Sequence, residues 1–102
     1  MFRVGIGQDS HRFSEVPTRP LILGGIVVSE EIGFESNSDG DAILHAICNA
    51  LESAIGGGSF SVYADPMCKE GIIDSQEYIK VALLHIKEKG YQPNNVSISI
   101  EA

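Results

Sequence analysis

The hydrophobic period of this 102-residue chain switches from two to about 3.6 and back to two, which restricts it to folds that mix strands and helices. Phe2, Val4 and Ile6 alternate with small or polar neighbours and predict a strand over 2–8. After a polar loop holding Pro17 and Pro20, Leu21-Ile22-Leu23 and Ile26-Val27-Val28 flank Gly24-Gly25, a two-residue hairpin signal. Ile43, Leu44, Ile47, Leu51 and Ile55 recur every three to four residues and predict a helix over about 40–55. Ser38 is placed to cap it, Asp41 stands in the capping-box position, and Gly56-Gly57-Gly58 ends it. Residues 56–73, with glycines, Asp65-Pro66 and no clean period, read as a loop. A second helix is expected from Asp74, with Glu77 completing a capping box, through Ile79, Val81, Ala82, Leu83 and Ile86 to a glycine cap at Gly90. Val96, Ile98 and Ile100 alternate with Ser97, Ser99 and Glu101 as a last strand. The expected order of elements is therefore a strand, a small hairpin, two helices and a last strand.

Length and charge narrow the function. A single domain over 1–102 can bury roughly 60–70% of its unfolded surface, enough for a modest core without a disulfide or metal staple. A net charge of -7 with only seven Lys and Arg argues against nucleic-acid backbone binding. No apolar run approaches the ~18 residues of a membrane span, and the first residues show no charged-then-apolar leader. Cys48 and Cys68 lack C-x-x-C spacing and read as reduced thiols, which fits a cytoplasmic protein.

Asp9-Ser10-His11 ends the first predicted strand, and alternate residues of a strand face the same way, so Asp9 and His11 can converge on one point. His45, in the first predicted helix, can complete a three-ligand set for a divalent metal that keeps one position open for chemistry. Taken alone, D-x-H is a short match, and a partly buried histidine bonded to Asp41 at i-4 explains His45 too. Asp41 could equally be the acceptor that fixes the tautomer of a ligating imidazole. Ser38 and the free amides of the helix start suit an anion, which Asp39 and Asp41 would oppose unless a cation is present. His85, among Leu83, Leu84 and Ile86, is assigned no role; no nucleophilic triad and no dinucleotide-binding glycine pattern is present.

Gly5–His11 (G-I-G-Q-D-S-H), Leu21–Val28 (L-I-L-G-G-I-V-V) and Ser38–Ala46 (S-D-G-D-A-I-L-H-A) resemble the 2-C-methyl-D-erythritol 2,4-cyclodiphosphate synthases of the non-mevalonate isoprenoid pathway. Asp74-Ser75, Lys89-Gly90-Tyr91 and Asn95-Val96 fall where similar residues do in that family, so the likeness runs through most of the chain. The resemblance implies an α+β fold of two layers, a mainly antiparallel sheet backed by helices with a small N-terminal hairpin, assembled as a homotrimer with active sites between subunits and a zinc-type site at Asp9, His11 and His45. It also implies a second divalent ion, magnesium or manganese, bound with a cytidine diphosphate-linked substrate. The implied reaction is intramolecular phosphoryl transfer: 4-diphosphocytidyl-2-C-methyl-D-erythritol 2-phosphate closes to the 2,4-cyclodiphosphate and releases CMP. The implied substrate contacts are Asp9, Ser10, His11, Asn37, Ser38, Ser59, Ser61, Asp65 and Ala102, with Asn37 at a catalytic position.

Three departures accompany the likeness. Asn37 stands where the family usually has a histidine before S-D-G-D, so it offers a hydrogen bond but no charge. Gly58-Ser59-Phe60-Ser61 replaces a Gly-Asp-Ile-Gly loop, removing an acidic contact or displacing it to Asp65. Members continue past the position of Ala102 into a threonine-rich, glutamate-bearing segment, so the expectation is a C-terminally truncated chain that is inactive by itself. Two other readings stay open at this point: a non-catalytic oligomeric module that binds a phosphorylated ligand, and a metal-dependent phosphate-ester hydrolase.

Overall fold

The computed structural model describes residues 1–15 and 19–99. Two strands, β1 (Leu21–Leu23) and β2 (Ile26–Ser29), precede three helices, α1 (Ala42–Ala54), α2 (Ser61–Lys69) and α3 (Ser75–Glu88). This is the α+β class that the family resemblance implies. The hairpin is antiparallel, with Leu23 opposite Ile26. Gly24 and Gly25 turn it with φ of 64° and 80°, angles that favour glycine and match a type I′ turn.

Helices α1 and α3 pack against each other around Cys48, Ala64, Tyr78 and Ala82, with α2 supplying Ala64. Small residues at 64 and 82 let the backbones approach while Tyr78 fills the centre with its ring. Its phenol is satisfied there, donating to Ile72 O at 2.5 Å. Both long helices start on an aspartate. Asp41 caps α1 by accepting from Leu44 N, and Asp74 caps α3 by accepting from Gln76 N. Gly90, at φ 83°, closes the end of α3 as expected.

Three local expectations are corrected. Ser38 does not cap α1; Asp41 does, which frees the Ser38 hydroxyl to face His45. Residues 61–69, read as loop, form α2, although its N-cap Phe60 makes no side-chain bond and Pro66 interrupts its donors. Burial of Ala64 and packing of Phe60, Tyr63 and Met67 on the core outweigh those weak local signals.

Finally, neither 2–8 nor 96–99 joins a ladder; among the described residues the one sheet is the β1–β2 hairpin, and the end of the last predicted strand, Ile100 and Glu101, lies outside them. The alternation in the first segment is real, but its faces are reversed. Gly5 and Gly7 lie against α1, where an added Cβ would come within 2.1 Å of Ala50 O and of Ala46 O respectively. Phe2, Val4 and Ile6 face outward at 89%, 92% and 84% exposure. Glycine permits this backbone-on-helix approach, so contact with α1 selects the small face rather than the apolar one.

Candidate metal centre

The backbone brings Asp9 and His11, from the segment that lies along α1, to the first turns of that helix, where His45 is buried. Asp9 Oδ2 stands 2.7 Å from His11 Nε2 and 3.0 Å from His45 Nδ1. The two nitrogens are 3.2 Å apart. A tetrahedral site with bonds of about 2.0 Å has ligand-to-ligand edges near ~3.3 Å, so this triangle is close to three corners of such a site. The donor chemistry agrees: two imidazoles and a carboxylate form a set suited to zinc or a similar divalent ion. Aromatic rings fix the imidazoles in place. His11 stacks on Phe34 at 5.9 Å between centroids, and His45 lies 4.9 Å from Phe60.

The far side of the His45 ring is also held. Its Nε2 lies 2.7 Å from Ser75 Oγ and 3.2 Å from Ser38 Oγ. Asp41 has a different place from the one considered for it. Its Oδ1 accepts from Gly24 N at 2.9 Å and Leu44 N at 3.1 Å, and its Oδ2 accepts from Gly25 N at 2.7 Å. The carboxylate thus ties the hairpin turn to the start of α1, and its link to His45 is the backbone bond from His45 N to Asp41 O.

A cavity of about 680 Å³ opens beside the triad. Of the residues singled out in the sequence, Asp9, His11, His45, Asn37, Ser38 and Asp65 line it. Ser10 is exposed and is not part of that lining. Ser59 and Ser61 are also outside it, bonded to each other at the start of α2 with Oγ atoms 3.0 Å apart. Ala102 lies outside the described residues.

The wall is acidic. Asp9, Glu35 and Asp65 face a single guanidinium, Arg19, whose Nη2 donates to Ser38 O and whose Nε is buried without a partner among the described residues. A polyanionic ligand therefore needs cations that this wall does not supply. Under the cavity, Tyr78 and Cys68 are hydrogen-bonded, Sγ to Oη 2.7 Å. Burial and the adjoining thiol raise the Tyr78 phenol above its ordinary value, so it stays protonated. Cys48, free and fully buried, is pushed up to about 12 by burial, which removes it as a nucleophile at neutral pH.

Arg19, Asp39 and Ser75 were not identified as site residues from sequence. Arg19 sits in a loop between two prolines without periodicity, and Ser75 is 30 positions from His45. Asp39 was legible only as part of an acidic helix start.

Comparison with known proteins agrees with this geometry. The chain is 46% identical over 103 residues to the 2-C-methyl-D-erythritol 2,4-cyclodiphosphate synthase of Chlamydia trachomatis serovar A, a match covering 99% of this chain and 57% of the relative. A solved 2C-methyl-D-erythritol-2,4-cyclodiphosphate synthase superposes with a TM-score of 0.76 at 37% identity, over 86% of this chain and 58% of the other. A form of such a synthase bound to CDP gives 0.75 at 35% identity, over the same two shares, 86% and 58%. The chain thus spans little more than half the length of the relatives it matches. The model of the YgbB family matches residues 2–102, and the chain belongs to that family.

Proposed function

We propose that these 102 residues form the metal-binding portion of a 2-C-methyl-D-erythritol 2,4-cyclodiphosphate synthase, a phosphorus–oxygen lyase acting in the cytoplasm as a homotrimer. The observation that carries this reading is the convergence of Asp9, His11 and His45 on one point beside an acidic cavity of about 680 Å³. Support comes from family membership and from the similarity to synthases, one of them solved with CDP.

The substrate is 4-diphosphocytidyl-2-C-methyl-D-erythritol 2-phosphate. Its own 2-phosphate attacks the β-phosphorus, the bond to the CMP oxygen breaks, and the cyclodiphosphate and CMP result. Little covalent work is left to the protein, so alignment and charge neutralisation dominate; orienting two tethered groups is worth up to ~7–11 kcal/mol. Asp9, His11 and His45 would hold zinc, and that ion, with a magnesium or manganese ion bound with the substrate, would neutralise phosphate charge as a Lewis acid. The chain's own groups position. Asn37 and Ser38 hydrogen-bond phosphate oxygens at the cavity edge, and the Asp65 carboxylate meets the hydroxyls of the methylerythritol.

The natural protein carrying this sequence should release CMP stoichiometrically with cyclodiphosphate and lose that activity with His45→Ala. Release of inorganic phosphate instead would establish a hydrolase, and nucleotide binding without product would establish a binding module. The 102-residue chain tested alone should show little or no turnover; efficient CMP release by it would contradict the partition of the site proposed here.

A further inference from the structure

The hydrogen-bond chain behind His45 has a direction, and that direction determines what its ring can present to the cavity. Asp39 grips Ser75 twice: Oδ2 accepts from Ser75 N at 2.9 Å and Oδ1 accepts from Ser75 Oγ at 2.5 Å. A carboxylate only accepts, so the single hydroxyl proton of Ser75 points at Asp39. What Ser75 Oγ then turns to His45 Nε2, 2.7 Å away, is a lone pair. Nε2 must carry the hydrogen. In the neutral ring the remaining nitrogen, Nδ1, is a bare lone pair, and it faces Asp9 Oδ2 at 3.0 Å and His11 Nε2 at 3.2 Å. Nδ1 and Asp9 Oδ2 then turn lone pairs on one another, a repulsion that a cation, or a hydrogen on His11 Nε2 2.7 Å from Asp9 Oδ2, relieves. Ser75 is fully buried, so water does not compete for its hydroxyl.

We infer that Ser75 and Asp39 are positioning residues that lock His45 in the Nε2–H tautomer and thereby aim Nδ1 as a metal ligand. The inference rests on the metal reading of Asp9, His11 and His45, and assigns to Ser75 and Asp39 the task that Asp41 had seemed placed to perform. Partners of this kind typically alter metal affinity 10- to 100-fold when removed.

The test uses the natural protein, with zinc affinity from a competing chelator and the His45 tautomer from ring 15N shifts in the zinc-free state. Ser75→Ala keeps the backbone N–H that Asp39 caps, and is expected to weaken zinc binding 10- to 100-fold and to lose the pure Nε2–H signature. Ser75→Thr, which retains the hydroxyl, should restore both. Asp39→Asn can donate to Ser75 Oγ, turn that hydroxyl toward Nε2, and shift the ring to the Nδ1–H form. Unchanged zinc affinity and tautomer in Ser75→Ala would overturn the inference, as would a wild-type ring in the Nδ1–H form. A wild-type protein that shows the Nε2–H form, loses it in Ser75→Ala, and binds no zinc would overturn the metal reading and leave the tautomer lock standing.

Discussion

His45 and His85 make an instructive pair, since both lie on helices and both meet a carboxylate. His45 is buried, and its two nitrogens meet Asp9, His11, Ser38 and Ser75 within 3.2 Å. His85 is part-exposed, its Nδ1 donating to Glu52 Oε1 at 2.6 Å and its ring edge-on to Tyr63. One ring joins several lone-pair donors at a cavity; the other supplies a single proton to a buried acid. Convergence of donors, rather than contact with a carboxylate, separates a metal ligand from an imidazole that satisfies the interior. Cys48 lies on α1 between His45 and Glu52, about one turn from each, and is fully buried.

The sharpest way to break this contrast is metal analysis of two variants. His45→Ala should abolish stoichiometric zinc, whereas His85→Ala should retain it; zinc loss from both would erase the distinction. Stability should divide the opposite way. Without His85 the buried Glu52 carboxylate loses its partner, which costs about 1–3 kcal/mol and should lower the denaturation midpoint, while His85→Gln, able to donate, should recover part of it.

A smaller effect is expected from Tyr78→Phe, whose ring still packs but whose bond to Ile72 O is gone. About 1 kcal/mol of stability should disappear, with zinc content unchanged, because the Tyr78 hydroxyl bonds Cys68 and Ile72 and not the triad. The burial of Cys48 can be probed by pH. Its thiol is held at about 12 in the fold against 9.0 for a free thiol, so the unfolded chain releases its proton first as pH rises. The resulting stability is fully present below pH 9 and is lost between 9 and 12. Correspondingly, iodoacetamide at pH 8 should label part-exposed Cys68 ahead of buried Cys48 in the native protein. Mass spectrometry showing Cys48 labelled first would mean that the core around Cys48 is open.

Much was legible from local pattern alone. The Gly24-Gly25 hairpin, the stripe of α1 and the capped start of α3 rest on short-range rules, and each occurs close to its expected place. The α2 helix was not legible, because an uncapped start and Pro66 argue against it locally while packing of Ala64 on the core argues for it. The first segment had the right alternation but the wrong face inward, since periodicity does not say which face a neighbour will prefer. At the site, D-x-H and His45 could be proposed together because the strand and helix periods limit where their side chains point.

By itself, then, the sequence determined the helices with strong stripes, the glycine turn, the acidic charge that argues against nucleic-acid binding, and the choice of three residues that could hold a metal, because those depend on residue type and spacing. Only the tertiary structure decided that Asp41 serves the hairpin while Asp39 and Ser75 serve His45. Those assignments depend on which buried donor each carboxylate reaches, and hydrogen bonds between residues 16 to 36 positions apart leave no periodic trace in a chain.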